Sequence, residues 1–114
     1  MIKVFIASPY TIGDVAVNVK LQLDTANVLI SLGFNPYVPL LSHFLHMAHP
    51  RPYEDWIRID NDWLVECDYV LRLPGESSGA DNEEMLARSI GIPVVYSIDE
   101  LLKAIDKGMD ELNG

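Results

Sequence analysis

The sequence predicts an α/β domain built on a doubly wound parallel sheet, and three observations carry that expectation. Short β-rich runs alternate with stretches of helical periodicity, an order that produces parallel strands joined by crossover helices. Capping and stop residues punctuate the junctions, with Asp14 before and Gly33 after one helical stretch and Gly91 after another. The 114 residues, 49% of them hydrophobic, suffice for one buried core and a single domain over residues 1–114. The expected architecture is a single-domain three-layer sandwich of the Rossmann/flavodoxin-like kind, with a four- to five-stranded parallel sheet.

Each element has its own local reason. Lys3-Val-Phe-Ile-Ala7 is a β-rich run, and Ser8-Pro-Tyr-Thr-Ile-Gly13 after it reads as a loop. Asp14 can cap a helix whose apolar positions Val15, Val19, Leu23, Ala26, Leu29 and Ile30 recur at helical spacing until Gly33. Phe34 to Val38 reads as a second strand, which Pro36 moves towards a sheet edge. Pro39 to Pro52 is a long mixed stretch with three His. A helix is expected from about Tyr53 to Glu66, then the strand Tyr69-Val-Leu-Arg-Leu73. After the Gly-containing loop, a helix is expected over about Asp81 to Ile90, a strand over Ile92 to Tyr96, and a closing amphipathic helix from Ile98 to about Leu112.

Composition excludes several functions. Eight basic residues against 17 acidic give a net charge of −9, the wrong sign for a nucleic-acid polymer as partner. A single nucleotide stays possible, because a helix N-terminus and a few local donors can hold one. No apolar run approaches the ~18 residues that cross a bilayer, and no secretory signal is visible. Cys67 stands alone, so no internal disulfide can form, which fits a reducing compartment. A cytoplasmic protein without membrane contact is the expectation.

Two acids occupy positions that should be apolar. Asp60 lies on the helical stripe Trp56, Asp60, Trp63, Leu64, Cys67, and Glu83 opens the stripe Glu83, Leu86, Ala87, Ile90. Unpaired carboxylates on a buried face are costly, so such a pair suggests acid and nucleophile in a pocket. The neighbouring Glu84 is explained as surface, paired with Arg88 one turn on. In parallel sheets, ligands bind beyond the carboxyl ends of the strands. The loops there are residues 8–13, 39–52 and 74–82. Neither the phosphate-binding loop ending in Gly-Lys-Ser/Thr nor the Gly-x-Gly-x-x-Gly dinucleotide turn is present. Ser77-Ser78-Gly79 before a helix offers hydroxyls and free N–H groups suited to a phosphate or a ribose hydroxyl, or forms an ordinary capped turn.

The stretch Asp60 to Pro93 resembles the nucleoside 2-deoxyribosyltransferase family, including its deoxynucleoside 5′-monophosphate N-glycosidase branch. The resemblance rests on Asp60 placed before Asp68 and its hydrophobic strand, on Ser77-x-Gly79-x-x-x-Glu83, and on Ala87 and Gly91-Ile-Pro93. Phe5-Ile-Ala-Ser-Pro-Tyr10 looks like that family's first strand and loop, while the His-rich middle and the C-terminus are unmatched. What the resemblance implies is a covalent mechanism: Glu83 attacks C1′ of the sugar, Asp60 assists the leaving base, and Tyr10 orients the nucleophile. Ser8, Ser77, Ser78 and Gly79 would then contact substrate; His43, outside the matched stretches and just beyond the second strand, is read as a base contact or as a subunit contact. The resemblance also makes Ser77 a sign of a 5′-monophosphate substrate, since a carboxylate at that position accepts a free 5′-hydroxyl and would repel a phosphate. The first loop, Tyr10-Thr-Ile-Gly13, lacks the Arg that this branch uses on phosphate. Lys20, Arg51, Arg58 or a neighbouring subunit could replace it.

The remaining features have plainer readings. His43, His46 and His49 fall at i, i+3, i+6, but without Asp, Glu or Cys at ligand spacing they read as loop or base-contacting residues, with no metal. Trp56 and Trp63 share a helix face and read as core, with an aromatic wall against a base as the other possibility. Asp68 reads as a turn or capping residue. The expected activity is cleavage of the N-glycosidic bond of a (2′-deoxy)nucleoside or its 5′-monophosphate, resolved by water or an acceptor base, without a cofactor. A domain this small walls a nucleotide only partly, so a homo-oligomer is expected. The rival reading is a non-catalytic nucleotide-binding or sensing module on the same fold.

Overall fold

A computed structural model describes residues 1–113, with side chains up to 109. Its order is β1 (Lys3–Ala7), α1 (Val15–Ser31), β2 (Asn35–Tyr37), a 3-10 turn (Pro39–Leu41), α2 (Ser42–Ala48), α3 (Tyr53–Leu64), β3 (Tyr69–Arg72), α4 (Ser78–Ser89), β4 (Val94–Val95) and α5 (Ile98–Asn113). The four strands pair in parallel in the order β2-β1-β3-β4. Pro36 sits in the edge strand β2, where its missing N–H breaks no ladder between two neighbours.

Alternation in β1 separates the two faces. Val4 and Ile6 pack with Ala26 and Leu29 of α1 and Leu101 of α5, while Phe5 and Ala7 pack with Leu64 of α3 and with Ala80 and Ala87 of α4. Helices therefore cover both sides of the sheet, giving the three-layer, doubly wound arrangement. Because β1 pairs with β2 on one side and β3 on the other, the winding reverses between β1 and β3, and a crevice opens beyond their carboxyl ends.

Asp14 caps α1 through its side chain, which accepts from the Ala16 and Val17 N–H groups at 2.9 and 3.2 Å. Gly33, at φ +90°, ends that helix, and the Phe34 N–H returns to the Leu29 carbonyl at 3.0 Å. Asp68 accepts from the Lys3 N–H at 2.8 Å and so ties the start of β3 to β1.

Four expectations need correcting. Residues 42–48 are helical rather than loop; Phe44, Leu45 and Met47 of this short helix are exposed, so no buried stripe marks it in the sequence. Helix α4 starts at Ser78, three residues before Asp81, because Ser77 is its cap: the Ser77 Oγ accepts from the Ala80 N–H at 3.1 Å. Ile30 is exposed, and Gln22 and Thr25 take up buried positions on α1 beside Val19, Ala26 and Leu29. Neither tryptophan is core: Trp63 is 56% exposed and stacks on Tyr37, and Trp56 is half-buried at the crevice.

Candidate active site

The crevice holds a cavity of about 670 Å³, within the range of small-molecule sites. Three segments wall it. The loop after β1 brings Ser8 and Tyr10, α2 and α3 bring His43 and Asp60, and the cap and first two turns of α4 bring Ser77, Ser78, Gly79 and Glu83. All eight residues expected at the site thus line one cavity, although they come from sequence positions 8 to 83.

Asp60 projects from α3 and accepts a hydrogen bond from the Tyr37 hydroxyl at 3.2 Å. Burial pushes its carboxyl up to about 6, and the Tyr37 bond, which favours the anion, holds the rise back. Burial pushes Glu83 further, up to about 8; the Asp60 charge adds to that rise and the Arg72 guanidinium opposes it. Glu83 lies in the second turn of α4, not at its start. The helix dipole acts mainly within the first turn, so it does little to keep this carboxylate ionised. Desolvation wins, and in the unliganded site the pair retains a proton through neutral pH.

Tyr10 does not hydrogen-bond to Glu83. Its hydroxyl is bonded to Nδ1 of His43, and the two rings meet edge to face. Burial raises the Tyr10 phenol above its ordinary value, so it stays a neutral hydrogen-bonding group. Tyr10 is itself fixed through its backbone, since the Asn18 side chain donates to the Tyr10 and Ile12 carbonyls at 3.0 and 2.9 Å.

The histidines also divide. His46 lines the cavity and its Nδ1 accepts from the Trp56 indole N–H at 3.0 Å and from the Arg51 N–H at 3.2 Å, which leaves its proton on Nε2. His49 is exposed at the end of α2. Among the described residues, no group of three or more His, Cys, Asp or Glu could hold a metal ion.

Among the candidate cations, Arg51 lines the cavity, whereas Lys20 and Arg58 do not. Lys20 pairs with Asp24 at 2.6 Å on the surface. Arg51 and Arg58 share Asp55, at 3.0 and 3.5 Å. One carboxylate facing two guanidinium groups leaves Arg51 with charge to spare for an anion in the cavity. Glu84 pairs with Arg88 at 3.4 Å, as expected, and lies away from the cavity, half-buried and accepting from the Tyr96 hydroxyl at 2.9 Å.

Two residues carry the site without having stood out in the sequence. Arg72, buried at the end of β3, donates to the carbonyls of Leu73 and Gly75 and to the Asp81 carboxylate, and so shapes the loop that leads into α4. Gln22, 1% exposed on α1, bonds to β1, to Ser8 and to Leu40. Only its break in an apolar helical stripe hinted at such a role. Gly75 completes the loop: at φ +121°, a Cβ there would lie 2.7 Å from Pro9 Cγ, so only glycine lets the first and third loops touch.

A family model described as a domain of unknown function, DUF4406, matches residues 2–96, which take in all four strands and every residue of the cavity named above. No curated protein matches the chain.

Proposed function

The chain belongs to the DUF4406 family, a domain of unknown function, and from the chemistry of its cavity we propose that it cleaves the N-glycosidic bond of a (2′-deoxy)nucleoside or its 5′-monophosphate. One observation carries the reading: two carboxylates with raised and separated pKa values, about 6 for Asp60 and about 8 for Glu83, share one cavity of nucleotide size. A structural ion pair would lower such values.

The reaction uses the proton that the pair holds. On substrate binding, the Glu83 proton passes to Asp60. The Glu83 carboxylate then attacks C1′, the C1′–N bond breaks, and its electron pair leaves with the base, which takes the proton from Asp60. Asp60, now ionised, removes a proton from water or from an acceptor base. That nucleophile attacks C1′ of the glycosyl ester and Glu83 leaves as the carboxylate, with one proton again on the pair. No cofactor enters any step.

Arg51 is the cation assigned to a 5′-phosphate, at a rim where the N-terminal turns of α3 and α4 also meet. Tyr53, the first residue of α3, brings its hydroxyl within 3.3 Å of where a Cβ on Gly79 would stand. The rim also exposes Ile12, Tyr53 and Ile57, beside Phe44, Leu45 and Met47 of α2, which supports a homo-oligomer whose neighbour closes the site. No described helix is long and apolar enough to cross a membrane; a cytoplasmic location fits the lone Cys67.

The test is direct. Purified protein is incubated with each common deoxynucleoside and its 5′-monophosphate, and free base is measured by chromatography. Released base supports the reading, and a new nucleoside formed when an acceptor base is added identifies transfer. Binding without release from any of these compounds identifies a nucleotide-binding module instead.

A further inference from the structure

Gln22 is a fully buried amide among Val19, Thr25, Ala26 and Leu29 on the buried face of α1, and both of its N–H groups and its oxygen are engaged. Its Nε2 donates to the Ile6 carbonyl at 3.2 Å and to the Ser8 Oγ at 2.7 Å, while its Oε1 accepts from the Leu40 N–H at 2.8 Å. The partners dictate the orientation. A carbonyl cannot donate and a backbone N–H cannot accept, so the amide has one arrangement that satisfies Ile6 and Leu40 together. The nitrogen therefore faces Ser8, and the Ser8 oxygen is held as an acceptor.

A serine hydroxyl has a single hydrogen. With its oxygen receiving the Gln22 N–H, that hydrogen is left to be donated, and it has no acceptor among the described residues. Ser8 is 7% exposed and lines the cavity floor with Ile6, Gln22 and Leu40. One lone pair of its oxygen is thus taken by a residue of a different element, which leaves the hydroxyl hydrogen free for a group in the cavity. We propose that Gln22 is a positioning residue that holds Ser8 ready to donate its hydroxyl hydrogen into the cavity, so that this floor selects a ligand group able to accept a hydrogen bond. Under the function proposed above, on which this assignment rests, that group is a carbonyl oxygen or ring nitrogen of the base, since the floor is otherwise apolar. A group that can only donate is disfavoured, because it could use the second lone pair of the Ser8 oxygen only while leaving the Ser8 hydrogen without an acceptor.

The closing experiment is a double-mutant cycle. The probes are the four common deoxynucleoside 5′-monophosphates, with affinity read by calorimetry. Ser8→Ala removes the donor. Gln22→Glu keeps an oxygen for the Leu40 N–H but turns a second oxygen towards Ser8, which draws the hydroxyl hydrogen away from the cavity. Each variant is expected to weaken the tightest-binding probe about tenfold, the size of one lost hydrogen bond, and the double variant no more than either alone. Unchanged affinity in Ser8→Ala overturns the proposal, and so do two losses that multiply in the double variant. If Gln22→Glu does not fold, judged by circular dichroism, Ser8→Thr decides. Wild-type affinity with Thr, beside loss with Ala, supports a donor role, and equal loss in both overturns it. Base release by the wild-type protein is assayed in parallel: binding that follows the cycle without any release sinks the enzymatic reading and leaves the Gln22 assignment standing. Absence of binding by all four probes and by the four free deoxynucleosides overturns both.

Discussion

Tyr37, on the edge strand β2, donates its hydroxyl to Asp60 on α3 at 3.2 Å, so the outermost strand reaches over the sheet to hold one of the two cavity acids. Tyr37 in turn stacks between Phe5 and Trp63, with ring centroids 5.3 and 5.7 Å away, which keeps the phenol from swinging off the carboxylate. The bond stabilises the Asp60 anion and partly offsets the desolvation that raises its pKa. Tyr37→Phe should therefore move Asp60 above its value of about 6 while leaving the aromatic stack in place. Carbon-13 NMR titration of the Asp60 carboxyl checks this; an unchanged or lower midpoint would show that the bond does not control the acid. Stability should fall by about 1 kcal/mol for the lost hydrogen bond.

Activity should follow the proton held by the pair. Below about pH 6 both acids are protonated and no nucleophile exists; above about pH 8 both are ionised and no acid remains for the leaving base. A bell-shaped profile of kcat/KM with limbs near those two values is expected for base release. Tyr37→Phe should shift its acid limb upwards. A profile that stays flat from pH 5 to 9 would exclude the pair from proton transfer.

Much of this arrangement was readable from the chain because the signals are local. Asp14, Gly33 and the periodicity of Val19, Ala26 and Leu29 define α1 on their own, and Asp60 and Glu83 stood out as charges on apolar stripes. What escaped depends on partners far along the chain. Gln22 looks like an interruption of a helix face until Ile6, Ser8 and Leu40 surround it. Arg72 looks like a strand residue at the surface until Gly75 and Asp81 fold back onto it. The helix at residues 42–48 exposes Phe44, Leu45 and Met47, so no buried periodicity revealed it. The residues expected at the site line one cavity, but the partner of the Tyr10 hydroxyl is His43 rather than Glu83, a contact that depends on where α2 lies.

Gly75→Ala is expected to be destabilising for two reasons at once. The backbone sits at φ +121°, where a side chain is strained, and the added methyl would meet Pro9 at 2.7 Å. A loss of about 1–3 kcal/mol is expected in urea unfolding. Because Pro9 lies between Ser8 and Tyr10, probe affinity should fall as well. Unaltered stability would mean that the two loops can separate freely.

Arg51→Gln separates phosphate recognition from the rest of the site. Arg51 shares Asp55 with Arg58, so its removal leaves that carboxylate still paired and the fold should be little affected. If Arg51 holds a 5′-phosphate, kcat/KM for a monophosphate should fall roughly 10–100-fold, the range for a charge-assisted hydrogen bond, with the free nucleoside almost unaffected. Equal losses for both substrates would assign Arg51 to general site structure. No loss for either would move the phosphate contact elsewhere.

Glu83→Gln tests the nucleophile and the thermodynamics of the cavity together. Both acids titrate higher in the folded protein than in the unfolded chain, where each lies near 4. Between about pH 4 and pH 8, the folded state therefore binds more protons than the unfolded state. Stability must fall as pH rises through this window and level off above it. The cavity is thus held ionised at a cost, on the order of a few kcal/mol for Glu83 at alkaline pH. Glutamine has the same shape and does not titrate, so Glu83→Gln should melt at a higher temperature than the wild type at pH 8.5, with a much smaller gap at pH 4.5, while losing base release. Thermal unfolding at the two pH values, with chromatographic assay of the same samples, measures both. A variant that is less stable than wild type at pH 8.5 would show that Glu83 is not a desolvated acid, and one that still releases base would remove it as the nucleophile.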